Sequence, residues 1–226
     1  MKKILFYFIS VFLGLTACSG PMRMPGEPIV ESLFNEKDKT ISEADIQRLL
    51  NGSFALPDSL RVAVYKLGTN SPYSGWYNRR AEYTVNAHQM YIDTLTRGIL
   101  RDSKVKRVNI IPSLLLSNQP SITQLREASV RLQSDILVVF APVSSVFYKQ
   151  KTLKKDEVKA YATTEILIVD IRTALIPFSA IVSREVVLRK QSGETMDETK
   201  ERAQREAVLR TLTEGSRQIL DYLSTR

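Results

Sequence analysis

Apolar residues change their spacing several times along this chain, and each change marks an element. From Leu60 to Leu67 they nearly alternate with polar ones, the period of a strand buried on one face, and Pro57 introduces it. Between about Asn86 and Arg101, Met90, Tyr91, Leu95, Gly98 and Ile99 recur at helical spacing. Arg97 and Arg101 sit where cations favour the carbonyl end of that helix. Val105–Ile111 reads as a second strand, closed by Pro112. Ser121 followed by Gln124 is a helix-start signature, with Ile122, Leu125, Ala128 and Leu132 as the apolar stripe. Asp135–Ala141 is apolar almost throughout, as expected of a central strand covered on both faces.

Upstream, Ser42 and Asp45 predict a short helix with Ile46, Leu49 and Leu50 on one side and Gly52 at its end. Gly68 to about Tyr83 reads as a loop. Downstream, Val143–Tyr148, Val158–Arg172 and Phe178–Arg189 read as consecutive strands. The charged Lys149–Asp156 stretch is a solvated hairpin tip, and Ala174–Pro177 is a turn. Thr195–Leu223 is a long helix, with Ala203, Ala207, Leu209, Leu212, Ile219, Leu220 and Leu223 on its apolar side. The order β-α-β-α-β-β-β-α predicts an α/β fold. A mixed sheet sits in two or three layers with a long C-terminal helix against it.

The N-terminus has a different pattern. Lys2 and Lys3 precede an apolar run from Ile4 to Leu15, which ends in Leu15-Thr16-Ala17-Cys18. A span needs about 20 apolar residues, so this run is too short to be one. A positive start, a short apolar run and small residues at the end describe a secretion signal. The last four residues match the lipobox of bacterial lipoproteins. In such a motif a small residue fits the peptidase pocket and the thiol accepts a diacylglyceryl group. Cys18 is the chain's single cysteine, so the expected lipidation site is Cys18 and no disulfide is expected elsewhere. Ser19 follows it, which by resemblance to sorted lipoproteins points to the outer membrane and its periplasmic face. Residues 1–17 are then the signal, 18–39 a lipidated flexible tether rich in Pro, Gly and charge, and 40–226 a single periplasmic α/β domain.

Composition narrows the function. A hydrophobic share of 43% is that of a globular chain with a core. The formal charge of +8 loses Lys2 and Lys3 with the signal and stays positive. That balance suits acidic headgroups, peptidoglycan or an acidic partner. An exported chain without dense Lys/Arg clusters argues against nucleic acid.

Catalytic chemistry finds little material. His88 is the only histidine and Cys18 is spoken for, so a Cys/His dyad or a soft-metal site cannot be assembled. No serine sits in a Gly-x-Ser-x-Gly elbow, and no glycine-rich loop could cradle a phosphate. Asp135 and Asp170, near strand ends, read as junction caps before they read as a carboxylate pair. The expectation is no enzyme, no catalytic residues, no cofactor and no metal. The segment Pro72–Tyr83 stands out instead, with Tyr73, Trp76, Tyr77, Arg79 and Arg80 of the types enriched at binding hot spots. They are the candidate partner-binding residues, against the alternative that Trp76 simply packs on its own domain.

The element order resembles the periplasmic domain of the curli secretion lipoprotein CsgG and the N-terminal domain of TolB. Leu132-Gln-Ser-Asp-Ile-Leu-Val-Val139 is similar to the family's helix-end Gly-Ala-Asp before an apolar strand. Ile168-Val-Asp-Ile-Arg-Thr-Ala174 is similar to its strand-end Val-Asp-x-x-Thr-Gly. The departures are Gln133 and Ala174 where the family has glycine, and Ser134 where it has alanine. The resemblance implies an envelope assembly or accessory component acting through protein contacts, with envelope proteins or further copies of itself as partners. A CsgG-like secretion-channel subunit is one alternative. The charge around Lys149–Lys159 sits badly in the lipid-facing band a barrel needs. A glycan or small-ligand domain is the other alternative.

Overall fold

The computed structural model describes residues 22–24, 42–68, 78–117, 120–149 and 157–225; for 22–24, 78–85 and 149 it describes the backbone path alone. In chain order the elements are β1 (Met22–Met24), α1 (Glu43–Leu50), β2 (Leu60–Lys66), α2 (Asn78–Ile99), β3 (Val105–Ile110), α3 (Ile122–Arg131), β4 (Ile136–Lys149), β5 (Glu157–Asp170), β6 (Phe178–Arg189) and α4 (Met196–Ser224). The sheet runs β3-β2-β4-β5-β6. β2 is parallel to both β3 and β4, and the β4-β5-β6 part is antiparallel. From Leu60 onward the order is the one the apolar pattern predicts, and the fold is α/β with a mixed sheet and a long C-terminal helix.

The helices start where the sequence supplies caps. Ser42 accepts from the Asp45 amide. Ser121 with Gln124 and Thr195 with Glu198 each close a full capping box, satisfying two amides that the first turn leaves unbonded. α2 and α4 lie on one face of the sheet over Val62, Val64, Val138, Phe140, Ala160, Ala162, Ile166 and Ile168. The small residues Ala160 and Ala162 on β5 let α4 settle close. On the opposite face, among the described residues, α3 alone packs over Ala63, Leu137, Val139 and Val169. At 1.5 Å per residue this ten-residue helix is about 15 Å long, too short to cover strands of 14 residues.

The structure departs from the sequence reading in four places. α2 begins at Asn78, so Asn78–Tyr83 is helix and not loop; Arg, Ala and Glu in that stretch favour helix, while its aromatics suggested a loop. The two stretches expected on either side of Pro142 form one strand, β4. The Phe140 carbonyl faces β2, where it accepts from Leu67 at 2.8 Å, and Pro142, two residues on, faces the same side. β2 has already ended there, so the N–H that proline lacks has no ladder partner to lose. β5 stops at Asp170 and not Arg172, because Asp170 accepts from the Arg172 and Thr173 amides and turns the chain. Finally, β1 falls within the stretch read as a tether. It pairs antiparallel with β4, Met22 opposite Tyr148 and Met24 opposite Val146.

Candidate functional site

The half of the sheet that α3 leaves bare is the candidate site. Side chains alternate across a strand, so the odd-numbered residues of β4, β5 and β6 face away from α4. Phe147, Lys159 and Val187 form one cross-strand row; Ser145, Tyr161 and Glu185 the next; then Val143, Thr163 and Ser183; then Glu165 and Ile181, beside Ala141, which is buried in the cluster under α3. Ile181 is 73% exposed and Val187 52%. Phe147 and Tyr161 meet edge to face, centroids 5.6 Å apart at 86°. The Thr163 and Ser183 hydroxyls lie 2.9 Å apart.

Lys159 and Glu185 pair on this face. The Lys159 ammonium lies 2.9 Å from the Glu185 carboxylate and 4.8 Å from the Tyr161 ring centroid. The Tyr161 hydroxyl, and then Glu185, hold Lys159 above its ordinary pKa. Lys159 in turn holds Glu185 below its own. The result is a surface on three strands that mixes exposed apolar side chains, hydroxyls and an ion pair. Among the described residues β6 pairs with β5 alone, so its outer edge has no strand partner, although the Ser183 and Arg189 carbonyls accept from the Arg184 and Arg202 guanidinium groups.

Below this face lie the groups singled out for chemistry. Asp135 accepts from the Arg61 amide at 2.9 Å and from its guanidinium at 3.1 and 2.9 Å. The Arg61 side chain is the largest cause of its lowered pKa, so Asp135 stays ionised and is a poor general acid. Asp170 accepts from two turn amides and from the Thr173 hydroxyl. Asp170 lies opposite Ile136, one residue from Asp135, and each carboxylate is committed to its own partners. His88 sits on the exposed side of α2, well past its first turn. Loss of hydration, and then the nearby Lys66 ammonium, lower its pKa. Among the described residues no three His, Cys, Asp or Glu side chains gather to hold a metal.

Of the predicted contact residues, Tyr73, Trp76 and Tyr77 lie outside the described residues, as does Cys18. Arg79 and Arg80 fall in the first turn of α2, on its backbone path. The bare sheet face was missed by the sequence reading. Its signal was present in β6, where the exposed Ile181 and Val187 stand in phase with Ser183 and Glu185.

No protein-family model matches this chain, and no curated protein does. Among solved structures, a point variant of PelC from Paraburkholderia phytofirmans, a dodecamer, overlays with a TM-score of 0.32 and 16% identity over 72% of this chain and 92% of its own. A minor lipoprotein from Acinetobacter baumannii overlays with a TM-score of 0.37 and 12% identity, covering 72% and 93%. A hypothetical protein from Chlamydia trachomatis does so at 0.41 and 14%, covering 74% and 99%.

Proposed function

We propose that this chain is a non-enzymatic lipoprotein, held by Cys18 at the periplasmic face of the outer membrane, that works as an envelope assembly or accessory component through protein contacts. The observation that carries the reading is the bare β4–β6 face beside the open edge of β6. Exposed apolar side chains there are ringed by paired charges and hydroxyls, the make-up of surfaces that bind protein. The lipobox supports the anchoring. The element order that resembles CsgG- and TolB-type domains supports the envelope setting. No described helix is long and apolar enough to cross a membrane.

The test places a photo-crosslinking residue at Ile181 on this face, or at Arg210 on the outer side of α4, in cells. Distinct envelope proteins captured from Ile181 and not from Arg210 would support the contact role. Equal capture from both positions, or none from Ile181, would remove it. A second reading has its own observation, the free edge of β6. A further copy adding along that strand would give a homo-oligomer, seen as capture of the chain by itself at a fixed multiple of its mass.

A further inference from the structure

The apolar pattern of β6 reads the same in both directions. Ser183 and Glu185 flank Arg184; beyond them stand Val182 and Val186, then Ile181 and Val187. When two copies of one strand pair antiparallel about a two-fold axis, residues equally far from the axis on either side lie opposite each other. A strand with this symmetry is therefore complementary to itself in one register. With Arg184 on the axis, exposed Ile181 lies opposite Val187 of the second copy, buried Val182 opposite its Val186, and the Ser183 hydroxyl opposite its Glu185 carboxylate. Moving the axis to Ser183 sets Ile181 against Glu185. Moving it to Glu185 sets Ile181 against Arg189 and two carboxylates against each other, which destabilises a strand pair. The backbone agrees with the first register. The Ser183 and Arg189 carbonyls reach the outer side of β6, where arginines meet them. Backbone groups alternate sides along a strand, so the odd-numbered residues turn their N–H and C=O outward, and this register pairs odd with odd.

We propose that β6 pairs with β6 of a second copy about a two-fold axis through Arg184, giving a dimer with one continuous sheet. The proposal rests on the β6 edge put forward above as a place for a further copy, and adds the stoichiometry and the register. Arg184 is the residue that the axis sets against itself. Its guanidinium lies 3.6 Å from Glu214 of α4; Arg217, which also holds Glu214, is balanced by Asp221 at 2.8 Å. Each copy thus brings as many carboxylates to the axis as guanidiniums, and the two Arg184 side chains do not meet as bare like charges. The helices fit as well. Gly215 of α4 sits over Ile166 of β5 and Val182 of β6. The two α4 axes would then lie about two strand spacings apart, ~10 Å, an ordinary distance for packed helices. That contact adds area to what a strand pair buries alone. The two-fold axis also keeps both bare faces on one side of the joined sheet, so an envelope protein bound there would meet the face twice.

The experiment uses the full chain extracted from membranes in detergent, as Ile181→Cys, as Val187→Cys and as the double variant, each oxidised with copper phenanthroline. In the proposed register positions 181 and 187 of the two copies face each other with Cα atoms about 5.5 Å apart, within the span of a disulfide. Two copies of position 181 are about 20 Å apart along the strands, well outside it. The double variant should therefore form a disulfide-linked dimer at least about tenfold faster than either single variant, with mass spectrometry showing 181 joined to 187. The pairs Ile181→Cys/Glu185→Cys and Ile181→Cys/Arg189→Cys report the two neighbouring registers and should link more slowly. Without any cysteine added, native mass spectrometry should show a dimer that Ile181→Asp abolishes at an unchanged melting temperature, since Ile181 is exposed. Faster linkage in a neighbouring register, or single variants as fast as the double, would overturn this register and leave the edge as a place for a further copy. A chain that stays monomeric and links at none of these positions would overturn both.

Discussion

The contact between α2 and α4 yields the sharpest prediction. A Cβ added at Gly98 would lie 2.3 Å from the Ser216 Cβ and 2.4 Å from its Oγ. Carbon atoms in contact sit at about 3.5–4.0 Å, so the helices would have to part by more than an ångström or Ser216 would have to give way. Ser216 has little freedom: it is buried, and its hydroxyl donates to the Thr213 carbonyl at 2.8 Å. Overpacking of this kind costs about 1–3 kcal/mol. Alanine returns about 0.8–1 kcal/mol over glycine within a helix. Gly98→Ala should therefore lose about 1 kcal/mol net and melt about 2–4 °C lower in a domain of this size. Thermal and urea unfolding would measure it. The partner variant supplies the control: Ser216→Gly clears the space, so the Gly98→Ala/Ser216→Gly double should be more stable than the sum of the singles by the relieved overpacking, about 1–3 kcal/mol. A Gly98→Ala protein that gains the full helix increment, with an additive double, would refute the close packing of these helices.

Three further outcomes follow from other sites. Arg61→Met strips buried Asp135 of its guanidinium and should cost about 1–3 kcal/mol in urea unfolding, with the Asp135 pKa rising by NMR titration; no change in either would mean that the pair is idle. Ala174 holds φ at 65°, where a side chain costs about 1–2 kcal/mol, so Ala174→Gly should raise stability by about 0.5–1 kcal/mol after glycine's own entropy loss, and a fall in Tm would count against it. Glu194, bonded first by Arg202, has its pKa depressed from 4.5 to about 2, so its contribution is whole above pH 4.5 and drains away as pH falls toward 2; Glu194→Gln should flatten the stability curve in that window and leave its slope above pH 5 unchanged.

How much of this was legible depended on whether the signal was periodic or a matter of close approach. The capped start at Ser121 and the alternation of β2 are local, and the sequence showed them directly. A strand that crosses a proline is not local: Pro142 is tolerable only because β2 ends at Lys66, a fact of the neighbouring strand. β1 is three residues long, too short for any period to show. Gly98 counted as part of an apolar stripe, yet its role is to be nothing at all beside Ser216. Gln133 and Ala174 adopt positive φ, 54° and 65°, a backbone that neither residue type asks for, so no local pattern announced it. The candidate contact face escaped notice because it is defined by what α3 fails to cover, which no single segment encodes.

Pro142 also has a bearing on how the molecule can be joined to others. The outer side of β4 is occupied by β2 as far as Phe140 and by β1 from Val146 onward, and among the described residues no strand pairs with the short stretch between them. An incoming chain that tried to fill this gap would find a donor missing at Pro142 and a ladder broken where it most needed continuity. The proline acts as a blank in the template. It turns strand addition away from the middle of the sheet and toward its outer strands, β3 and β6.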